Sequence, residues 1–175
     1  VFLLALMVPV LSGTTLWFTI VTAVGLITLV FAAYMAMFKD DLKGLLAYST
    51  VSHLGLITLL LGLGTPLSVL AAVFHIFNHA AFKAGLFLLA GIIDHETGTR
   101  DIQRLSGLKK AMPVTAFLTF IGCGAMAGVP LFNGFLSKEM FLAETLAPGL
   151  TGAWSWILPA GSVLAAVFAV AYSIR

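Results

Sequence analysis

Cysteine is nearly absent. It occurs once, at Cys123, which excludes an internal disulfide and any zinc or iron–sulfur centre held by this chain's cysteines alone. Charge is scarce too: Asp, Glu, Lys and Arg make up 9% of the residues, against about 25% in an average soluble domain. Hydrophobic side chains take 61% and the mean hydropathy is +1.10, so the sequence reads as a protein whose solvent is the lipid bilayer. The net charge of +2 is small and acids interrupt the basic residues, which argues against a nucleic-acid face. No glycine-rich phosphate cradle, nucleophile elbow or haem motif occurs, and no cofactor is expected.

The first apolar stretch, Val1 to Leu11, has no initiating Met and no basic n-region. It has about half of the roughly 20 residues a span requires, so it reads as the tail of a longer helix. At the other end the apolar run from Trp154 stops at Arg175. The chain is expected to be an internal fragment, residues 1–175 forming one all-α, polytopic transmembrane bundle of five to six spans. Those spans are predicted at 1–11 (partial), 14–38, 44–63, 67–93, 111–146 and 154–174. Trp17 and Tyr34 are placed near the two interfaces, where aromatic belts sit. Gly64-Thr65-Pro66 reads as a tight turn whose proline starts the next helix. In the polar loop 94–110, Ile102, Leu105 and Leu108 recur at three-residue spacing, predicting a short amphipathic helix on the membrane surface.

Residues 111–146 are too long for one straight helix across a core of about 30 Å, and "GVPLFNG" near their middle disfavours helix at Gly128, Pro130 and Gly134. Two short crossings and one broken crossing compete, and loop charge chooses between them. With one broken crossing, Lys39, Lys43, Arg100, Arg104, Lys109, Lys110 and Arg175 share one side, seven of the nine basic residues. The positive-inside rule assigns that side to the cytoplasm, so loops 39–43 and 94–110 are predicted cytoplasmic, whereas 64–66 and 147–153 face outward. The remaining two, Lys83 and Lys138, lie inside apolar helices.

An ionisable group at bilayer depth costs about 3 kcal/mol or more and usually faces a bundle interior or a water path. In "FHIFNHAAFKAG" the side chains of His75, His79 and Lys83 follow at spacings of four. A step of four drifts only about 40° around a helix and rises about 6 Å, so the three form one slanted stripe. The gaps are too long for a direct shortest-path hydrogen bond; a water or a rotamer swing would close them. His53 adds an imidazole on the preceding helix, flanked by Ser49, Thr50 and Ser52. Histidine titrates near neutrality, and burial disfavours a lysine's charged form, so this set is suited to exchanging protons. Beyond the break come Asn133, Ser137, Lys138 and Glu139. Lys138 and Glu139 point about 100° apart on a helix and pair poorly, so Lys138 needs another partner or water. Glu144, near the helix end, reads as an interfacial carboxylate.

A rival reading of His75 and His79 is zinc chelation, but H-E-x-x-H is absent: the run is His75-Ile76-Phe77-Asn78-His79, with Lys83 close by to repel a cation. No metal site is expected. A non-conducting scaffold, its polar residues locking helices together at about 0.6 kcal/mol per hydrogen bond, is the other alternative.

The segments "KGLLAYSTVSHLG", "FHIFNHAAFKAGLFLLAG" and "GVPLFNGFLSKEMF" resemble the antiporter-like membrane subunits shared by Mrp-type multisubunit cation/proton antiporters and respiratory complex I. Within that family "GIIDHETGTRDIQRLSGL" is most similar to the A-type subunit of the Mrp (Pha, Mnh) systems; the largest antiporter-like subunit of complex I is the alternative. The resemblance implies the second of two inverted five-helix repeats, its broken helix passing through Pro130. It places His75, His79, Lys83 and Lys138 on a proton pathway. It puts Lys43 there too, although a helix-start lysine also reads as a positive-inside anchor. It implies a secondary transporter subunit, not an enzyme, in the plasma membrane, exchanging protons for Na+ or K+ beside other membrane subunits. Gly128, Pro130, Asn133, Gly134 and Ser137 would then form a water or ion site at the break, with Glu139 and Glu144 as secondary candidates.

Overall fold

A computed structural model describes residues 1–146 and 152–175, and among them every regular element is helical. α1 (Phe2–Leu11), α2 (Thr15–Met37), α3 (Leu42–Leu63) and α4 (Pro66–Thr97) come first. A 3-10 turn (Ile102–Arg104), the single-turn α5 (Leu108–Ala111), α6 (Pro113–Ala127), α7 (Asn133–Thr145) and α8 (Trp154–Ile174) follow. Four of these, α2, α3, α4 and α8, are long and apolar enough to cross a membrane. At 32 residues, α4 is about 48 Å long, so its last turn projects beyond the hydrocarbon.

The helix ends follow local chemistry. Thr14, Asp41 and Thr65 cap α2, α3 and α4 by accepting from backbone amides three residues on, satisfying donors that the first turn leaves free. Pro66 occupies the first turn of α4, as its sequence position predicts. The loop 94–110 does not form the single amphipathic helix predicted. Residues 94–97 continue α4, Gly107, at φ +73°, separates the 3-10 turn from α5, and the strand-like pairing of Ile102 N with Asp40 O (2.8 Å) and of Leu42 N with Arg100 O (2.9 Å) holds the chain extended around Asp101. Ile102, Leu105 and Leu108 nonetheless share a cavity lining with Leu42 and Leu45 at the bundle end.

α2 and α3 pack most extensively. A methyl group at Gly25 would meet the backbone of Leu59, and one at Gly55 the backbone of Leu29, so the helices approach at a distance only glycine permits, as in membrane small-residue interfaces. Trp17 is buried here and its Nε1 donates to Leu61 O at 3.1 Å. In the first turn of α2, it locks that helix to the last turn of α3.

The contacts at each end settle how 111–146 crosses. Asp40, Asp41, Asp94, Arg100 and Arg175 gather at one end: Lys43 meets Asp94 at 2.8 Å, Arg100 meets Asp41 at 3.5 Å and Arg175 meets Asp40 at 2.6 Å. The Gln103 side chain and the Arg175 guanidinium hold the Asp40 carboxyl below the usual carboxylate range. At the other end Glu144 of α7 accepts from Thr65 Oγ1 at 2.6 Å. α6 and α7 therefore make one crossing broken in the middle, as loop charge predicts. Glu144, near the end of α7 as predicted, is 8% exposed and hydrogen-bonded across to the α3–α4 turn. Of the outward-facing stretch predicted at 147–153, residues 147–151 lie outside the described residues.

Candidate functional site

The predicted 6 Å step between the stripe histidines persists, with His75 and His79 ring centroids 6.2 Å apart. A third ring fills the gap. His53, from α3, lies 5.1 Å from His75 and 5.2 Å from His79, centroid to centroid. Its Nδ1 is 3.0 Å from His75 Nε2, and His75 Nδ1 is 3.0 Å from Ser137 Oγ on α7. His75 is 0% exposed. Two imidazoles and a hydroxyl thus form one buried hydrogen-bonded chain across three helices. Phe82 closes its side, standing edge-on to both His53 and His79.

Lys83 leaves the stripe and turns toward α3 and α6. It is 4% exposed; its Nζ donates to Leu46 O at 3.1 Å, to Ser49 Oγ, and toward Met126 Sδ at 3.3 Å. These partners supply the directed contacts that a buried ammonium requires.

The break is built around the second lysine. Gly128 ends α6 in the left-handed region at φ +80°, its N–H reaching Gly124 O and Ala125 O, a terminus glycine tolerates without strain. The carbonyls of Met126 and Ala127 are left without helical donors, and Lys138 Nζ donates to both, at 2.8 and 3.0 Å. The ammonium therefore sits at the negative end of α6, where its charge is favoured. A methyl group at Gly128 would meet Lys138 Cδ at 2.7 Å, and one at Gly134 would collide with the Ala125 carbonyl. Leu131 is also left-handed, at φ +82°, and Val129, Pro130 and Leu131 are exposed.

Asn78, between the two stripe histidines, fastens the break to α4. Its Nδ2 donates to Asn133 O at 3.2 Å, and Asn133 Nδ2 donates back to Asn78 Oδ1 at 3.3 Å. Met126 links the lysines: its sulfur touches Lys83 and its carbonyl accepts from Lys138. Neither residue stood among the predicted site residues. Asn78 was open to detection as an amide in an apolar helix, whereas Met126 acts through a backbone oxygen that no side chain advertises.

The structure thus assembles His53, His75, His79, Lys83, Asn133, Gly134, Ser137, Lys138 and Gly128 around the break. It sets Lys43 apart, in the charged cluster with Asp94. Glu139 is exposed and Glu144 belongs to the opposite end.

A helical bundle with a broken span and a buried imidazole–lysine array defines a class of polytopic membrane subunits. Residues 1–168 match the family described as NADH:quinone oxidoreductase/Mrp antiporter, TM, and the chain belongs to that family. It is 60% identical, over its entire length, to the A/B subunit of a probable K(+)/H(+) antiporter of Rhizobium meliloti, covering 18% of that protein. It is 49% identical to the A subunit of the Na(+)/H(+) antiporter of Alkalihalophilus pseudofirmus, with 83% of this chain and 20% of that one aligned. The chain thus spans about a fifth of the length of these relatives. The fold is similar to an Mrp complex from a Dietzia species (TM-score 0.89, 41% identity, covering 99% of this chain and 19% of that one). It is also similar to the membrane-bound sulfane sulfur reductase, an archaeal respiratory membrane complex (TM-score 0.78, 36% identity, 90% of this chain and 32% of that one).

Proposed function

We propose that this chain is the proton-relaying part of an A-type subunit of a multisubunit monovalent cation/proton antiporter, working with other membrane subunits in the plasma membrane. The observation that carries the reading is the chain His53–His75–Ser137, whose last hydroxyl belongs to the residue before the lysine that caps the helix break and donates to Gly134 O. One proton lies between His53 Nδ1 and His75 Nε2. When His75 gains a second proton it can release one from the opposite nitrogen to Ser137 Oγ, whose own proton, directed at Gly134 O at 3.2 Å, turns away to a water that passes it to Lys138. Lys138, the next residue, is the charge store at the end of that path. Lys83 is a second store, with the Ser49 hydroxyl beside it and Met126 between the two ammonium groups. Two like charges in a low-dielectric interior repel, so loading one disfavours loading the other and gives the relay a sequence of states. Exchange with Na+ or K+ is carried over from the relatives' names.

A second reading is favoured by the family's breadth and by the likeness to a respiratory complex: a proton-pumping membrane subunit of a quinone-linked respiratory enzyme. Everted vesicles containing the full complex separate the two, because a Na+ or K+ gradient drives proton movement in the first and NADH oxidation drives it in the second. In either, Lys83→Ala is expected to abolish proton movement with assembly intact. Lys83→Arg is expected not to restore it, since arginine keeps its proton at physiological pH. An active Lys83→Arg complex would show that the position needs only a fixed charge.

A further inference from the structure

Two rungs join α4 to the second half of the broken span. In one, His75 Nδ1 lies 3.0 Å from Ser137 Oγ. In the other, Asn78 Nδ2 donates to Asn133 O at 3.2 Å while Asn133 Nδ2 donates to Asn78 Oδ1 at 3.3 Å. His75 and Asn78 are three residues apart on α4, and Asn133 and Ser137 four apart on α7, so each pair projects from one face of its helix. Residue numbers rise along α4 as they fall along α7, so the two helices run antiparallel here with one turn between the rungs. The rungs differ in chemistry: an imidazole and a hydroxyl take up and release protons, whereas a pair of neutral amides does neither.

The amide rung has one working orientation. The backbone carbonyl of Asn133 only accepts, so Asn78 turns its Nδ2 toward it, and its Oδ1 is left to accept from Asn133 Nδ2. Both bonds close at one register of α7 against α4; a slide of one residue, about 1.5 Å, opens them. The first turn of α7 has no side-chain cap of its own. Gly134 seats that turn on α6, so close to the Ala125 carbonyl that a methyl group would collide. That contact sets the spacing of α7 from α6, whereas the amide bonds, being directional, set how far α7 slides along α4. Ser137, 0% exposed, stands one turn beyond Asn133, and its contact with His75 would cease to be a hydrogen bond at about 3.6 Å.

We propose that Asn78 is a positioning residue of the relay: through Asn133 it holds α7 at the register that keeps Ser137 Oγ within hydrogen-bond reach of His75 Nδ1. Asn78 bonds to neither of those atoms and carries no proton itself. Misplacing a reacting partner by about 1 Å can cost on the order of a hundredfold in rate, so the amide rung governs a transfer in which it takes no part. The inference rests on the proton-relay reading, and Ser137→Ala provides the control that separates the two.

The test uses the full-length subunit in the assembled complex, with ion-driven proton movement read in everted vesicles and normalised to assembled complex on native gels. Asn78→Ala removes both amide bonds and is expected to slow proton movement about tenfold. Asn133→Ala leaves the backbone acceptor in place and is expected to slow it about threefold; it carries the test where Asn78→Ala does not assemble. In a Ser137→Ala background no hydroxyl is left to position, so adding either substitution is expected to cost nothing further. The ratio of rates in ordinary and heavy water is expected to rise in Asn78→Ala above that of the unaltered complex, because the lengthened transfer becomes the slow step; loosened packing alone lowers both rates alike. With Ser137→Ala slow, an unaltered rate or an unaltered ratio in Asn78→Ala, or a further tenfold loss on adding it to Ser137→Ala, overturns the positioning role and leaves the relay standing. An unaltered rate in Ser137→Ala overturns the relay through Ser137 itself.

Discussion

A histidine needs a partner at each ring nitrogen to pass a proton onward, and His75 has both, in His53 and Ser137. His79 shares the stripe and the ring stacking, but its Nε2 has no hydrogen-bond partner among the described residues. The two histidines, equivalent by spacing, are therefore expected to respond differently. Ser137→Ala removes the hydroxyl that continues the chain from His75; proton movement in vesicles is expected to fall about tenfold, the rate equivalent of about 1.4 kcal/mol, roughly one lost hydrogen bond. Ser137→Thr, which keeps a hydroxyl, is expected to retain most of it. Equal, near-normal rates in both would remove Ser137 from the path. At this scale the titratable residues were legible in the sequence, because ionisable groups in apolar helices stand out against their neighbours. Their order was not: the spacing of four on α4 suggests a file from His75 to His79 to Lys83 closed by a water or a rotamer swing, whereas the hydrogen bonds of His75 run to His53 on α3 and Ser137 on α7.

The broken crossing shows what an element can and cannot reveal in its sequence. Gly128, Pro130 and Gly134 marked the break, and loop charge distinguished one crossing from two. The partner that Lys138 needed was not legible, because it is a pair of carbonyls freed by the break itself. Gly128→Ala tests whether lysine and break are one unit. The methyl group strains a left-handed residue and presses on Lys138 Cδ, so proton movement is expected to fall although the lysine is retained, and Gly128→Ala combined with Lys138→Ala is expected to be no worse than Lys138→Ala alone. Additive losses would mean that the break only packs. The α2–α3 contact gives a stability counterpart. Gly55→Val forces a branched side chain onto the Leu29 backbone and is expected to destabilise by about 1–3 kcal/mol. It should lower the melting temperature of the detergent-solubilised complex, while Gly91→Ala, at a glycine with open space beside it, should leave it unchanged.

On the scale of the molecule, the sidedness of charge becomes an architecture. The polar loops and the residue that follows α8 are tied together by Lys43–Asp94, Arg100–Asp41 and Arg175–Asp40, while Glu144 and Thr65 mark the other end. Lys43, Arg100 and Arg175 thus gather at one end, and by the positive-inside rule that end is expected to face the cytoplasm. Single cysteines at positions 100–105 of the full-length subunit are expected to resist an impermeant thiol reagent in intact cells and to react in everted vesicles; labelling from outside the cell would invert the assignment. Lys43 shows why sequence could not settle its own role, since a lysine at a helix start serves an anchor and a pathway equally well until its partner is seen.

The central claim is that a proton crosses from α3 to α7 through His75. His75→Gln in the assembled complex retains a hydrogen-bonding side chain of similar reach but cannot titrate. The decisive measurement is the rate of proton movement driven by a Na+ or K+ gradient in everted vesicles, normalised to the amount of assembled complex. The relay predicts that it falls to the level of Lys83→Ala; a rate equal to that of the unaltered complex would contradict it.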